Sequence, residues 1–516
     1  MDRREFILSS ALVAALRSGY SSALKTALQS DAGIPDQTLR DQLMRDPLRP
    51  QYHLQPQAGF IGDPCAPRSF RGQYHVFFHG SFGGRGWHHA MSPDLIHWRH
   101  LPIALSPTAD SFDSYGTFTG SVLPGGEGAS IIYTGVTKVP PEQETIRNEG
   151  LREVQCIATS TDADLRTWHK LDKPVIEGPP PGVKITGFRD PCSWKDGDTW
   201  YIGVGSGFPK IGGAVLLYRS TDARHWDYVH PLAQGTWNGE YSSNPVPSGE
   251  MWECPDFFPL GDKHVLIYST MHKTYWEVGT YDKREVRFHS ERRGLLDNGA
   301  YYAPKSMLDG NNRRILWGWV QETPSGEAIK AAGWAGTLSL PRVLTLGDDN
   351  ELQMEVPSEF ASLRTNTVTI DQPHDSSELS NALSRAIIHQ RAGEIMCSFK
   401  VSESSCGLDL RLYSSADPVS VLTMTHGGTN RYPCITIGDK NVALSPGPDG
   451  VSSLHIWIDG SVIETLVDRR QAITTRSYAA SKESGEIHVM WTGTVDMLKS
   501  LIVSGVKPIS DDRLTT

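Results

Sequence analysis

The chain has 516 residues, 59 acidic and 49 basic side chains, and a formal net charge of −10. This length predicts two domains. A negative chain without a basic run argues against nucleic acid or an anionic membrane as a partner and favours a neutral substrate. Seven cysteines without a C-x-x-C pair argue against a zinc ribbon or a redox motif.

The first 48 residues are interpreted as an export leader and linker. Arg3 and Arg4 precede a short apolar run over residues 9–16, as in bacterial twin-arginine signals. The run is too short to cross a bilayer. We therefore expect export to the periplasm or beyond the cell. A cytoplasmic protein with a disordered amphipathic tail is the alternative.

The body of the chain is a succession of short β-rich runs separated by turn residues, which indicates an all-β fold. An Asp-x-x-x-Trp repeat lies between such runs and predicts the blades of a propeller. We interpret its Asp as a turn cap and its Trp as packing between blades. The three copies are Asp94 to Trp98, Asp164 to Trp168, and Asp222 to Trp226.

The pattern changes near Gly347-Asp-Asp-Asn350, after which alternating strands predominate. Asp459-Gly460 is a two-residue hairpin signal within this second region. Regular short strands with few helices predict a β-sandwich. We therefore predict a propeller over residues 49–347, a linker with a short helix over 348–366, and a sandwich over 367–516.

Three acidic residues occur in similar contexts at the starts of β runs. Asp63 lies in Gly-Asp-Pro-Cys, Asp190 in Arg-Asp-Pro-Cys, and Glu253 in Trp-Glu-Cys-Pro-Asp. Inner propeller strands converge, so these acids could meet in one cavity. Cleavage of a glycosidic bond requires a carboxylate and a carboxylic acid, and Arg189 could keep a neighbouring carboxylate ionised. Asp-Pro is also a common turn sequence, and the local pattern leaves both interpretations open.

These motifs resemble those of glycoside hydrolase family 32, the invertase, inulinase, levanase and fructosyltransferase group. Residues 59–64 resemble a variant of its Trp-Met-Asn-Asp-Pro-Asn-Gly motif, residues 188–191 its Arg-Asp-Pro motif, and residues 252–256 its Glu-Cys motif. The resemblance extends from about residue 50 to the C-terminus. Other segments similar to the family, in the same order, are 87–92, 117–121, 301–304, 334–342 and 458–464.

The resemblance implies a five-bladed β-propeller followed by a β-sandwich, and a retaining β-fructofuranosidase of sucrose or short fructans. Asp63 would be the nucleophile, Asp190 the transition-state stabiliser, and Glu253 the acid/base. No metal or organic cofactor is implied, and the expected partner is a saccharide. The positions implied to bind substrate are Phe60, His79, Trp87, Phe118, Thr119, Arg189, Cys254 and Tyr302.

Three positions depart from the family pattern: Gly62 and Cys65 replace the usual Asn residues, and His79 replaces Gln. Similar variants occur among fructosyltransferase-like members, so transfer to a sugar acceptor is an alternative to hydrolysis. An inactive fructan-binding protein and an inverting arabinosidase or xylosidase are further alternatives. A homodimer formed through the sandwich is also left open.

Overall fold

The computed structural model describes residues 35–125, 128–145, 150–324, 326–413, 418–427, 433–479 and 485–511. The twin-arginine-like signal expected from Arg3 and Arg4 lies outside these ranges. Within them, no helix combines the length and the apolar character needed to span a membrane.

Five β-sheets form the first part of the described chain, and the strands within each sheet are predominantly antiparallel. Blade 1 contains β1 (Gly59–Phe70), β2 (Gln73–Gly80), β3 (Gly86–Ser92) and β4 (Arg99–Leu105). Blade 2 contains β5 (Gly116–Leu123), β6 (Ala129–Lys138), β7 (Leu151–Ser160) and β8 (His169–Lys170). Blade 3 contains β9 (Arg189–Asp196), β10 (Thr199–Phe208), β11 (Gly212–Ser220) and β12 (Asp227–Gln234).

Blade 4 contains β13 (Glu253–Leu260), β14 (Lys263–Thr270), β15 (Lys273–Asp282) and β16 (Arg287–Asp297). Blade 5 contains β17 (Tyr301–Leu308), β18 (Arg314–Val320), β20 (Thr337–Leu338), β21 (Arg342–Leu346) and β22 (Leu352–Glu355). The intervening β19 (Trp334–Ala335) pairs in parallel with β1 and so connects blade 5 to blade 1.

The innermost strands of the blades, β1, β5, β9, β13 and β17, contact one another in a closed ring. Apolar side chains from neighbouring blades pack against one another and so cover the faces of the sheets. Val76 and Phe78 of blade 1, for example, share a buried cluster with Ile315 and Trp317 of blade 5. The predicted five-bladed propeller is therefore confirmed.

Acidic residues cap the turns between the third and fourth strands of the blades. Asp94 and Asp222 each accept hydrogen bonds from two backbone N–H groups of their turns. In the second copy the cap is Asp162 rather than the expected Asp164. Asp282 caps the equivalent turn of blade 4, although Val286 stands there in place of the Trp of the repeat.

The tryptophans of the repeat pack between blades, as predicted. Trp98 of blade 1 meets Trp317 of blade 5 edge to face, with ring centroids 6.3 Å apart. Trp168 of blade 2 meets Phe77 of blade 1 in the same way, at 5.6 Å. These contacts stabilise the scaffold away from the central cavity.

The end of the propeller lies later in the chain than predicted. The segment Gly347-Asp-Asp-Asn350 is a tight turn that joins β21 to β22, and the backbone N–H of Asn350 donates to the Gly347 carbonyl over 2.9 Å. Asn350 has a φ of 61°, a conformation that asparagine tolerates in turns. A hairpin turn and a linker share this composition, so the predicted linker over 348–366 is corrected to 356–363.

Two six-stranded antiparallel sheets form the predicted β-sandwich, and their facing sides enclose one apolar core. The first sheet contains β23 (Arg364–Asp371), β25 (Ala392–Lys400), β30 (Val451–Asp459), β31 (Val462–Val467), β32 (Gln471–Arg476) and β34 (Leu498–Val506). The second contains β24 (Ile387–Ile388), β26 (Cys406–Leu412), β27 (Val419–His426), β28 (Cys434–Ile437), β29 (Lys440–Ala443) and β33 (Ile487–Thr492).

The described helices are short. They are α1 (Gln37–Arg45), α2 (Gly326–Ala332) and α3 (Ser376–Leu383), with 3-10 turns at Pro141–Gln143, Ser358–Leu363, His389–Arg391 and Val495–Met497. The Asp36 carboxylate caps α1 by accepting from the Leu39 N–H over 2.9 Å. Leu43 packs with Trp334, whose indole N–H donates to Asp46 over 2.8 Å. The end of the predicted leader and linker therefore belongs to the fold.

A buried ionic network connects the propeller to the sandwich. The His53 imidazole lies between Asp459, at 2.8 Å, and Glu464, at 3.0 Å. Arg342 pairs with Glu464 at 2.6 Å and with Asp297 at 2.8 Å. Burial opposes a charge on His53, but the hydrogen bonds to the two carboxylates outweigh burial and raise its pKa to about 9.

Candidate active site

Each inner strand has an irregularity at the same level of the ring. A β-bulge redirects a side chain that would otherwise follow the alternation of the strand. The register breaks lie at or opposite residues 61–64, 118–120, 189–192, 253–256 and 302–305. Asp190, Cys254 and Ala303 adopt φ values of 63°, 49° and 52°, which non-glycine residues rarely adopt. The bulges turn side chains toward the centre of the propeller.

Asp63 lies in the bulge of β1, and its side chain is 23% exposed. The Thr119 hydroxyl donates to its Oδ2 over 3.0 Å, and Nδ1 of His79 lies 4.0 Å from the same oxygen. Burial, followed by the negative charge of Glu253, raises the pKa of Asp63 to about 6. Asp63 is therefore accessible, oriented, and ionised above about pH 6.

Asp190 is buried beside Asp63. Its backbone N–H donates to the Thr134 hydroxyl over 2.9 Å. Its Oδ2 accepts from the backbone N–H and the thiol of Cys254, at 3.1 and 3.4 Å. The same thiol lies 3.9 Å from Asp63 Oδ2, so it faces both carboxyl groups. Burial raises the pKa of Asp190 to about 6, against the opposing effect of Arg189.

Glu253 begins β13 and is held by two donors of different kinds. The Tyr302 hydroxyl donates to Oε2 over 2.7 Å. Nε and Nη2 of Arg189 both donate to Oε1, over 3.1 and 2.5 Å. The Glu253 side chain is still 20% exposed. It is therefore oriented by the protein but open to a ligand.

Two charged residues of this region were not identified from the sequence. Lys305 is buried, and its ammonium donates to the Pro255 carbonyl over 2.7 Å and to the Asp190 carbonyl over 3.4 Å. Glu153 is fully buried and lies 3.2 Å from Nη1 of Arg189. Both occur within ordinary β runs, so only the assembled ring shows their positions.

An open cavity of about 130 Å³ lies beside Asp63. Its wall contains several aromatic side chains, as is common for ligand sites. Phe60 and Trp319 meet there edge to face at 5.7 Å. Of the predicted substrate-binding residues, Phe60, His79 and Phe118 line the cavity, together with Arg85, Tyr115 and Trp319.

Trp87 lies outside this cavity, contrary to its expected place among the substrate contacts. Its side chain is fully buried in the core, beside Phe77 and Tyr133. The indole N–H donates to the Phe118 carbonyl over 3.2 Å. Trp87 therefore positions the Phe118 segment and does not face the cavity.

The departures from the family pattern change the cavity wall. A Cβ atom at Gly62 would lie only 3.0 Å from the Phe60 ring, so this ring occupies part of the space of a longer side chain. Burial lowers the pKa of His79 to about 4, despite nearby Asp190. Its imidazole is therefore neutral at physiological pH. Nε2 of His79 has no hydrogen-bond partner among the described residues.

Three carboxyl groups and an arginine, converging beside an aromatic cavity, define the class of carboxylate-dependent glycosidases. Residues 53–356 match the glycosyl hydrolases family 32 N-terminal domain, and residues 359–504 match the family 32 C-terminal domain. The chain therefore belongs to glycosyl hydrolases family 32 and is a glycoside hydrolase.

Individual relatives agree with this assignment. The sucrose-6-phosphate hydrolase of Escherichia coli is 31% identical over 87% of this chain and 93% of its own length. The cell wall β-fructofuranosidase of Zea mays is 33% identical over 72% of this chain and 66% of its own. The crystal structure of fructan 1-exohydrolase IIa from Cichorium intybus has the same fold, with a TM-score of 0.74 and 24% identity over 90% of this chain and 98% of that chain.

Proposed function

We propose that the protein is a retaining β-fructofuranosidase that releases terminal β-D-fructofuranosyl units from sucrose or short fructans. The main support is that Asp63, Asp190 and Glu253 come together from three blades beside one cavity. Asp63 Oδ2 faces neutral donors, a hydroxyl and a thiol, whereas Glu253 is held by Arg189 and Tyr302. These different surroundings distinguish the two carboxyl groups, and the roles of nucleophile for Asp63 and acid/base for Glu253 are those that the family motifs imply.

In the first step the Asp63 carboxylate attacks C2 of the fructosyl unit and forms an ester. The bond between C2 and the bridging oxygen breaks, and Glu253 in its acid form gives its proton to that oxygen. In the second step the Glu253 carboxylate takes a proton from water, whose oxygen attacks C2. The ester bond breaks and the Asp63 carboxylate is regenerated.

Asp190 and the cavity wall would bind the fructosyl ring. The carboxylate of Asp190 would accept from ring hydroxyls and stabilise the positive charge that develops at C2. Neutral His79 lines the cavity beside Asp63 and would contact the sugar through its imidazole ring. Phe60 and Phe118 supply an apolar surface for the sugar ring.

Fructosyl transfer is the second candidate, because the fructosyl ester can react with a sugar hydroxyl in place of water. Gly62 and His79 alter the wall of the first sugar site, where the balance between the two acceptors would be set. A Gly62→Asn variant must displace the Phe60 ring. It should therefore change the ratio of transfer to hydrolysis.

A time course of products at low and high sucrose tests this proposal. Equal release of glucose and fructose at both concentrations supports a hydrolase. Glucose in excess of fructose at high sucrose, with trisaccharides, makes the protein a fructosyltransferase. Failure on sucrose, inulin and levan would contradict the proposal and favour a fructan-binding protein or an arabinoside-cleaving enzyme.

The same assay includes sucrose 6-phosphate. The Escherichia coli relative is named for this substrate, and Arg85 lines the cavity of the present chain. A higher kcat/KM for sucrose 6-phosphate than for sucrose, lost in Arg85→Gln, would make the phosphorylated sugar the preferred substrate.

We also propose that the leader within residues 1–48, which contains Arg3 and Arg4, directs export. Fractionation of a bacterial host should place the complete chain outside the cytoplasm. Replacement of Arg3 and Arg4 by lysine should retain it inside, because the arginine pair is the feature that the export machinery reads. Equal cytoplasmic retention of both forms would contradict export.

A further inference from the structure

Glu153 lies on β7, two strands from the inner ring, and its carboxylate reaches the active-site arginine. Its side chain is fully buried. Oε1 accepts from Nη1 of Arg189 over 3.2 Å, and Oε2 accepts from the Phe188 backbone N–H over 2.7 Å. Glu153 thus fixes both the backbone before Arg189 and one edge of its guanidinium.

Arg189 is consequently shared between two carboxylates on opposite edges of its plane. Nη1 serves Glu153, whereas Nε and Nη2 serve Glu253. Nε also lies 3.9 Å from Asp190 Oδ2. A single positive charge is therefore divided among Glu153, Glu253 and Asp190.

The region carries more negative than positive groups. The carboxyl groups are Asp63, Glu153, Asp190 and Glu253, and the cations are Arg189 and Lys305. The groups facing Glu153 are Arg189 and Asp190. Those facing Glu253 are Arg189, Asp190, Asp63, Tyr302, His272 and Cys254.

We propose that Glu153 is a positioning residue that holds Arg189 in place and limits its attraction for Glu253, so that Glu253 retains the proton needed by the leaving group. This inference rests on the proposed function. Without the charge of Glu153, Arg189 would favour the carboxylate form of Glu253 more strongly. The proton that the leaving group needs would then be less available on Glu253.

The effect should be largest on the alkaline side of the pH profile. Burial raises the pKa of Glu153 to about 7, against the opposing charge of Arg189. Glu153 is therefore mostly neutral near pH 6 and ionised at higher pH. Its removal changes the charge around Arg189 mainly above pH 7.

The test compares Glu153→Gln with the parent enzyme in kcat/KM on sucrose across pH 4.5–9.5. We expect the alkaline limb to move down by about one pH unit, while the acid limb near pH 6 moves less. Glu277→Gln is the matched control. Glu277 is also buried, but it accepts from the Tyr268 hydroxyl over 3.0 Å, away from Arg189. Its alkaline limb should not move.

Glu153→Asp keeps the charge but withdraws it by one methylene, and should give a smaller shift in the same direction. This variant applies if Glu153→Gln fails to fold, since the Gln amide can accept from only one of the two donors. A lower activity with both limbs unchanged would mean that Glu153 is merely structural, and would overturn the proposal.

A second readout does not depend on the substrate. The unfolding free energy of Glu153→Gln relative to the parent should rise as the pH passes from about 4.5 through about 7. The reason is that ionisation of an acid with a raised pKa destabilises the folded parent. If the difference in unfolding free energy between the variant and the parent does not change with pH, Glu153 does not carry a charge that competes for Arg189. If the parent cleaves no fructoside, the proposed function fails, and this measurement still tests the Glu153 charge.

Discussion

Individual side chains give the three active-site acids different chemical characters. Asp63 receives its hydrogen bonds from uncharged groups, the Thr119 hydroxyl and the Cys254 thiol. Glu253 is held directly by Arg189. Asp190 is the most buried of the three, and its carboxylate accepts hydrogen bonds from both the backbone N–H and the thiol of Cys254. The three carboxyl groups therefore differ because of their surroundings, although two of them are the same residue type.

The variant Asp63→Asn should be inactive but more stable than the parent at neutral pH. The pKa of Asp63 is about 6 in the folded protein, above the ordinary value of about 3.9. Its ionisation therefore destabilises the folded state as the pH rises from about 4 through about 6. This destabilisation is full above that range and absent below it.

We expect kcat of Asp63→Asn to fall by about a thousandfold or more. The gain in unfolding free energy should be about 1–3 kcal/mol at pH 8 and close to zero at pH 4. Thermal or denaturant unfolding at the two pH values measures this difference. An equal effect at both would show that the Asp63 carboxylate is not destabilising.

At the scale of the strands, bulges rather than regular alternation deliver the active-site side chains. The bulge of β9 depends on a neighbouring strand, because the Asp190 backbone N–H donates to Thr134 of β6. Thr134 in turn donates to the Gln155 side chain of β7 over 3.0 Å. Blade 2 therefore fixes the conformation of a residue in blade 3.

Thr134→Val should lower both stability and activity. The substitution leaves the buried Asp190 N–H without its acceptor, which costs about 1–3 kcal/mol. It also loosens the left-handed conformation of Asp190, so kcat should fall more than KM changes. Thr134→Ser keeps the hydroxyl and serves as the control. Parent-like stability and kcat in Thr134→Val would show that the hydroxyl does not hold the bulge.

Element types were predicted more successfully than their irregularities. Hydrophobic runs and Asp-x-x-x-Trp turns depend on local structure. Together with the family resemblance, they were sufficient to predict the propeller. The hairpin turn at Asn350 has the composition of a linker, so the domain boundary was misplaced. The positions of Lys305 and Glu153 near the active site could not be predicted from the sequence, because their hydrogen-bond partners come from other blades. Trp87 was assigned to the cavity because its motif does not reveal which side of β3 faces inward.

For the whole molecule, the decisive feature is the buried network at the joint between propeller and sandwich. His53 precedes the first blade, yet its partners Asp459 and Glu464 belong to the sandwich. The Asp459 carboxylate also accepts from the backbone N–H groups of Gln51, Tyr52 and His53. The sandwich thus fixes the chain entering the propeller.

His53→Gln should destabilise the molecule in a pH-dependent manner. The pKa of His53 is about 9 in the folded state and about 6.5 when unfolded. Its stabilisation is therefore full below about pH 6.5 and is lost as the pH rises through about 9. We expect a loss of about 3 kcal/mol at pH 6 and a much smaller loss at pH 9.5. Denaturant titrations at both pH values measure it, and an equal loss would contradict a charged His53.

The buried network around His53 also relates the fold to the order in which the chain is synthesised. Glu464 and Asp459 leave the ribosome long after Asp63, and β19 pairs with β1 only once most of the propeller has been translated. The strand that carries Asp63, and the segment before it, thus gain their contacts with β19 and Glu464 only after those residues have been synthesised. A prematurely terminated chain would lack these partners, so the segment that enters the propeller would be left without its buried ionic contacts.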